Sequence, residues 1–284
     1  MKIAIRYQAN YIYEEAASFS THRVRLFPRA DLFGRVERIE FQTDASADVQ
    51  FRRDLFDNIT ANCFYPEKLS VLPYQLEIDL ELKERNPFHF LLESRALRVP
   101  FDYLPTEQFV LAPFLKKDPG LKLPTGLRPG APLPTVEALV TLNRWIFENF
   151  DYTRRDEGDA WSAEETLQRK CGACRDFAVL FAEVLRHHGI AARLASGFLW
   201  EPPDFDVADR RAEGALHAWV EAYLPGPGWI GLDPTNGILC DHHFITAAVG
   251  ITPADVSPVD GHYFGKKTIG SHLESALSIT PREE

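Results

Sequence analysis

The sequence predicts an α+β fold, with an N-terminal β-sandwich followed by a region in which helices pack on an antiparallel sheet. Three observations predict it. The first hundred or so residues fall into short runs of alternating apolar and polar side chains, separated by turn residues and lacking any helical period. The middle of the chain carries two apolar stripes of helical spacing, one in Val136–Phe150 and one in Phe177–Leu185. Strand patterns then return from Ile190, two of them joined by Pro225-Gly226-Pro227-Gly228. A chain of 284 residues has room for about two domains. The expected division is a β-sandwich over 1–97, a proline-rich connector over 98–133 and a second domain over 134–284.

In the first region, Ile3, Ile5 and Tyr7 alternate with other residues, as do Val24 and Leu26, and Ile39 and Phe41. Turn chemistry separates these runs at Pro28-Arg29-Ala30-Asp31, Asp44-Ala45-Ser46 and Asp57-Asn58. Gln75, Glu77, Asp79 and Glu81 alternate with Leu76, Ile78, Leu80 and Leu82, which gives a strand with one polar and one apolar face. Asn58-Ile59-Thr60 matches a glycosylation sequon, but an ordinary hairpin turn accounts for it. Cys63 reads as a packed strand residue. The connector is broken by Pro100, Pro105, Pro113, Pro119, Pro124, Pro129 and Pro132, with a short helix expected near Thr106–Phe114.

A helix follows, with Thr135 as its expected cap and Val136, Leu139, Val140, Leu142, Ile146 and Phe147 on one face. Ser162-Ala163-Glu164-Glu165 is a capping box that starts a short helix toward Arg169. The next helix runs from about Cys174 to His188, ended by Gly189. Strands are expected over 190–200, 216–224, 229–232 and 244–249, and Glu201–Gly214 reads as a polar loop at the rim of a cleft. The tail after Lys266 shows no clear pattern.

Bulk properties exclude several classes. A formal net charge of −10 with no basic run argues against nucleic-acid binding. The first residues turn polar too soon for a signal peptide, and no apolar run approaches a membrane span. The expected setting is soluble and cytoplasmic. Four cysteines in so long a chain do not form a disulfide framework, so the thiols should be reduced, and a special one would be catalytic or a ligand.

Cys174 lies in the first turn of its helix, where unpaired N–H groups and the macrodipole favour a thiolate. Two later stretches complement it: Leu216-His217-Ala218-Trp219-Val220-Glu221 and Trp229-Ile230-Gly231-Leu232-Asp233-Pro234-Thr235-Asn236. They form the arms of a hairpin. A turn centred on Pro225 sets His217 opposite Asp233, with Cβ atoms roughly 5 Å apart. Roles follow from the chemistry. Cys174 attacks a carbonyl, His217 moves the proton, and Asp233 fixes the imidazole tautomer and stabilises its charged form. The Cys174 backbone N–H is one oxyanion donor, and Gln168 and Trp161 are side chains that could supply a second. Trp219 shares the His217 face and is expected in the cleft wall with Glu221, while Trp200 and Trp229 are further candidates. Asp176 is a first-turn carboxylate that supports the helix start.

Gly172-Ala173-Cys174-Arg175-Asp176-Phe177-Ala178, His217-Ala218-Trp219-Val220-Glu221 and Asp233-Pro234-Thr235-Asn236 together resemble the three motifs of the transglutaminase-like superfamily. Asp255-Val256-Ser257-Pro258 and the β-rich first region, with His22-Arg23-Val24-Arg25-Leu26, resemble its bacterial members. The likeness implies a papain-like core over 134–284 that carries a Cys, His and Asp triad in this order. Amide hydrolysis and acyl transfer to amines both occur in that superfamily. The sequence differs from animal transglutaminases at Ala173, where they carry Gln, and in the additional Cys171.

The resulting expectation is a cysteine protease or amidase acting on a protein or peptide substrate, with no cofactor, metal, nucleic acid or membrane involved. A protein-glutamine transglutaminase is the alternative. A Cys171-x-x-Cys174 redox protein would need a strand before the motif and leaves His217 and Asp233 unexplained. A zinc site from Cys171, Cys174, Cys240 and His242 or His243 rests on a lone C-x-x-C pair. A papain-family enzyme proper would place its histidine roughly 130–150 residues beyond the cysteine, and His217 follows much sooner. A non-catalytic binding module would be favoured by a missing triad residue, and none is missing.

Overall fold

The computed structural model describes residues 1–30, 33–155, 158–200, 216–265 and 270–282. The chain opens with a long strand, β1 (Lys2–Phe19), followed by β2 (His22–Val24), β3 (Gly34–Gln42), β4 (Asp48–Arg53), β5 (Ile59–Phe64) and β6 (Leu69–Leu82). β1 and β3 flank β6 in one antiparallel sheet, and β2 and β4 flank β5 in a second. Ile3, Ile5, Tyr7, Val24, Cys63, Leu76 and Ile78 are buried in the core that the two sheets share. The alternation in β6 behaves as expected. Its even-numbered leucines and Ile78 point inward, while Glu77, Asp79 and Glu81 meet Arg6, Arg35 and Arg38 on the outer face.

The proline-rich stretch wraps the molecule. β7 (Arg98–Val99) pairs with β8 (Leu133–Pro134), and α1 (Pro105–Leu115) lies between them. Leu121, Leu123 and Leu127 from this stretch are buried in the core of the second region. In α2 (Thr135–Asn149), Thr135 is not the cap. Pro134 holds that position, and the Thr135 hydroxyl donates instead to the Ala96 carbonyl at 2.5 Å.

β9 (Asp151–Tyr152) and β10 (Cys171–Gly172) form a short parallel pair around α3 (Ala163–Arg169), whose Ser162 cap accepts from the Glu165 N–H. Next comes α4 (Cys174–His187), ended by Gly189 at φ +74°. Its apolar stripe, Phe177, Leu180, Phe181, Val184 and Leu185, is fully buried. Each such side chain contributes about 1.5–3 kcal/mol through burial. It packs on a sheet of β11 (Ala192–Leu199), β12 (Leu216–Leu224), β13 (Gly228–Asp233), β14 (Ile238–Leu239) and β15 (Phe244–Gly250), ordered β14-β13-β12-β11-β15. The loop expected over Glu201–Gly214 lies outside the described residues.

The chain then returns to its beginning. β16 (Val259–Asp260) pairs with β2, and β17 (Tyr263–Phe264) pairs with the end of β1. β18 (Ser271–Pro281) runs along β1 from Tyr13 back to Ile3. Strands β16, β17 and β18, which the sequence groups with the second region, thus pair with strands of the first. The physical reason is the free edge of β1, whose unpaired N–H and C=O groups β18 satisfies. Leu273, Leu277 and Ile279 do alternate in the tail, but even Leu277 and Ile279 are only half-buried, so the pattern is weak.

Asn58 joins the two regions. It is fully buried, its amide donates to the Val249 carbonyl at 2.8 Å, and its oxygen accepts from the Val249 N–H at 2.9 Å. This bonding explains the sequon-like triplet without any glycan. Among the described residues, no helix is long and apolar enough to cross a membrane.

Candidate active site

Cys174 is the first residue of α4 and is half-buried. Asp176 fixes the helix start. Its fully buried carboxylate accepts from the Ala173 N–H at 2.7 Å and the Trp161 N–H at 2.8 Å, and pairs with Arg155 at 2.6 Å. Arg155 also lies over the Trp161 ring at 3.9 Å, and Arg169 lies over the same ring at 4.4 Å. A carboxylate thus anchors the thiol-bearing turn to the preceding loop. Asp176→Ala is expected to destabilise the fold by about 3 kcal/mol, as removing one partner of a buried pair does. Urea denaturation followed by tryptophan fluorescence would measure this, and a change under about 0.5 kcal/mol would contradict it.

His217 and Asp233 come from the hairpin of β12 and β13. The turn is centred one residue later than the sequence spacing suggested, since Leu224 opposes Gly228 and Val220 opposes Leu232. Gly226, at φ +110°, allows this three-residue turn. Asp233 therefore stands level with Trp219, and His217 is its diagonal neighbour. The register correction preserves parity, so both side chains stay on one face and the imidazole reaches across. His217 Nε2 lies 3.0 Å from Asp233 Oδ2. On its other side His217 pairs with Gly197 of β11, where a Cβ would collide with the Ile245 carbonyl.

Asp233 is fully buried and held from several directions. The Thr235 N–H donates to Oδ1 at 2.9 Å, and the Asn236 amide donates to Oδ2 at 2.8 Å. His217 Nδ1 is buried without a hydrogen-bond partner, and Cys174 lies near enough to act on the ring. Burial pushes the Cys174 thiol up, but hydrogen bonding and charge from His217, with the Ala218 N–H, outweigh it and leave the thiol below its usual range. Burial lowers His217, yet the charge and hydrogen bond of Asp233 prevail, and the imidazole is pushed up to about 10. Both directions favour a thiolate–imidazolium pair near neutral pH.

Cys174, His217 and Asp233 are thus brought together, with Trp219 against the His217 ring, while Gln168 and Trp161 make other contacts. Gln168 is exposed on α3, where its amide donates to Glu164. Helix periodicity turns it away from the thiol. Trp161 is clamped between two guanidinium groups and braces the loop. Trp219 is buried, packed with Phe244 and His217 rather than lining a cleft. Trp200 is likewise buried, and Trp229 packs on Phe114 and Arg193. Glu221 is committed to Arg193 at 2.6 Å. Trp219 stacks against the His217 ring, with centroids 6.2 Å apart. Asn236 and the Ala218 N–H were not singled out for roles in the sequence. Asn236 stands in the Asp-Pro-Thr-Asn motif, but backbone groups leave no mark on sequence.

This fold and site define a thiol–imidazole–carboxylate arrangement on a helix and an antiparallel sheet. The Transglutaminase-like superfamily model matches residues 124–234, and the Bacterial transglutaminase-like N-terminal region model matches residues 3–81. Residues 124–234 thus correspond to a transglutaminase-like core, and residues 3–81 to the N-terminal region of bacterial transglutaminase-like proteins. An uncharacterized protein of Mycobacterium leprae is 36% identical over 51% of this chain and 50% of its own length. The chain spans about half the length of the first curated relatives it matches. A protein of Pseudomonas aeruginosa named protein-glutamine gamma-glutamyltransferase is 29% identical over 38% of this chain and 17% of its own length. A solved structure from Cytophaga hutchinsonii, described as "a Putative Cysteine Protease", superposes with a TM-score of 0.72 at 17% identity. That alignment covers 100% of this chain and 92% of the other, and it shows a shared fold.

Proposed function

We propose that the chain catalyses acyl transfer from a peptide bond or side-chain carboxamide through a thioester on Cys174, with net hydrolysis. One observation carries the reading: a half-buried thiol at a helix start, lowered by an imidazole that a buried carboxylate holds at 3.0 Å. The thiolate attacks the carbonyl carbon, and the charge that develops on the oxygen falls near the N–H groups of the first turn of α4. The tetrahedral intermediate collapses as His217 gives its proton to the departing nitrogen. Ammonia or an amine leaves and the thioester remains. Water then attacks, giving a proton to His217, and the carboxylic acid is released with the thiolate restored.

The choice of water over an amine acceptor rests on the surroundings of the site. Transfer needs an apolar channel that shields the thioester and positions the amine. Trp219 and Trp200, the aromatic residues best placed to build one, are buried in packing instead. The similarity to the gamma-glutamyltransferase supports the second reading, transfer to an amine. The two are separated by incubating the protein with a glutamine-containing peptide, a casein digest and a labelled alkylamine. Deamidation or cleavage is expected to exceed labelling. Stoichiometric amine incorporation at millimolar amine, with little hydrolysis, would replace hydrolysis with transfer.

A further inference from the structure

The turn between β14 and β15 carries Asp241, His242 and His243, none of which the acyl-transfer scheme uses. All three are half-buried, and each offers one ligand atom, with these atoms within 4.8 Å of one another. Both hydrogen bonds that the Asp241 carboxylate makes within the turn fall on Oδ1, from the His243 N–H at 2.9 Å and with His243 Nδ1 at 2.8 Å. The two imidazoles lie side by side, with ring centroids 4.1 Å apart. The turn is anchored at both ends. The Cys240 N–H donates to the Gly231 carbonyl at 2.9 Å, and the Trp200 N–H donates to the His243 carbonyl at 3.0 Å. The His243 ring also stacks on Trp200.

We propose that Asp241, His242 and His243 bind a divalent first-row transition-metal ion of the zinc class. Two imidazoles and a carboxylate form a mixed nitrogen and oxygen donor set, which suits zinc, cobalt or nickel better than the all-oxygen preference of magnesium or calcium. Three protein ligands leave further positions to water. Zinc–nitrogen bonds of about 2.0–2.1 Å put neighbouring ligands roughly 3.4 Å apart, so from a separation of at most 4.8 Å the side chains must close by up to about 1.4 Å. Their partial exposure permits that rotation. His242 has only a long contact to give up, the 3.3 Å hydrogen bond from the Arg85 N–H to its Nδ1. The site lies beside the triad, because Phe244 follows His243 directly and packs against the rings of Trp219 and His217.

Thiolates also bind zinc, so the test uses the full chain with Cys174→Ala, stripped with a chelator. This background makes the result independent of the acyl-transfer reading. Zinc chloride is titrated by calorimetry, and cobalt chloride by the visible spectrum of the bound ion. One equivalent is expected to bind. Adding His242→Ala or Asp241→Asn should weaken it at least about tenfold, as loss of a ligand does. Far-UV circular dichroism of the metal-free variants checks that the fold is kept, and His242→Gln serves where alanine disturbs it. Absence of binding in the Cys174→Ala background, or binding that folded variants at Asp241 and His242 leave unchanged, would overturn the proposal.

Discussion

Cys174→Ala is expected to lower turnover by on the order of 10⁴-fold or more, the scale on which removal of a nucleophile acts in a triad. In the unmodified protein, limiting iodoacetamide at neutral pH should alkylate Cys174 before any other cysteine. The selectivity is electrostatic. Burial pushes Cys63 up to about 11 and raises Cys240 well above the usual thiol range. Cys174 alone among these three is drawn down, by His217. The sign of the pH dependence follows. The thiolate forms above the lowered thiol pKa, and the imidazolium persists until pH approaches about 10. Alkylation of Cys174 should therefore remain fast below the pH at which an ordinary thiol slows, and fall only as pH drops through the lowered value. His217→Ala should move that fall to higher pH, because the burial stays while the compensating cation is gone. Mass spectrometry of limited alkylation, with rates followed against pH, reads both effects. First labelling at Cys171 would favour the Cys-x-x-Cys redox reading instead.

The site was readable to the extent that its chemistry is local. The apolar stripe from Phe177 to Leu185 and the break at Gly189 place α4, and with it Cys174 in the first turn. Pro225-Gly226-Pro227-Gly228 marks the hairpin that brings His217 and Asp233 together. The register needed the conformation of Gly226, which composition does not reveal, and the parity of strands kept the triad face right all the same. Trp219 shows the opposite case. Strand alternation puts it on the His217 face, but whether that face looks onto solvent depends on Phe244, which arrives from β15. Gln168 is exposed on α3 and its amide donates to Glu164, a direction that one turn of helix decides. The return of β18 to β1 lay furthest from view. It pairs the two ends of the chain, and its side chains are too exposed to leave a strong pattern.

Asp233→Asn is expected to leave the fold intact and lower turnover by on the order of 10²- to 10⁴-fold, as amide replacement of a triad carboxylate does. The structure gives the mechanism. Asp233 Oδ2 faces His217 Nε2 at 3.0 Å and also accepts from the Asn236 amide at 2.8 Å, while Oδ1 accepts the Thr235 N–H at 2.9 Å. An asparagine can keep its oxygen toward only one of these sides. If the oxygen stays with Thr235, the new amide group faces His217 Nε2 and donates to it. That nitrogen then becomes the acceptor and Nδ1 carries the proton, which is the wrong tautomer for a base beside Cys174. If the amide turns over, it loses the Thr235 bond and leaves a donor against an N–H in a fully buried site. In both cases the imidazole loses the charge that held its pKa high, so its pKa should fall and the thiol, deprived of the imidazolium, should rise. The variant should therefore show a slower turnover and an alkylation profile shifted to higher pH, with circular dichroism unchanged. Full activity in folded Asp233→Asn, together with loss in Asp241→Asn, would move the carboxylate role to the neighbouring turn and remove Asp233 from the mechanism.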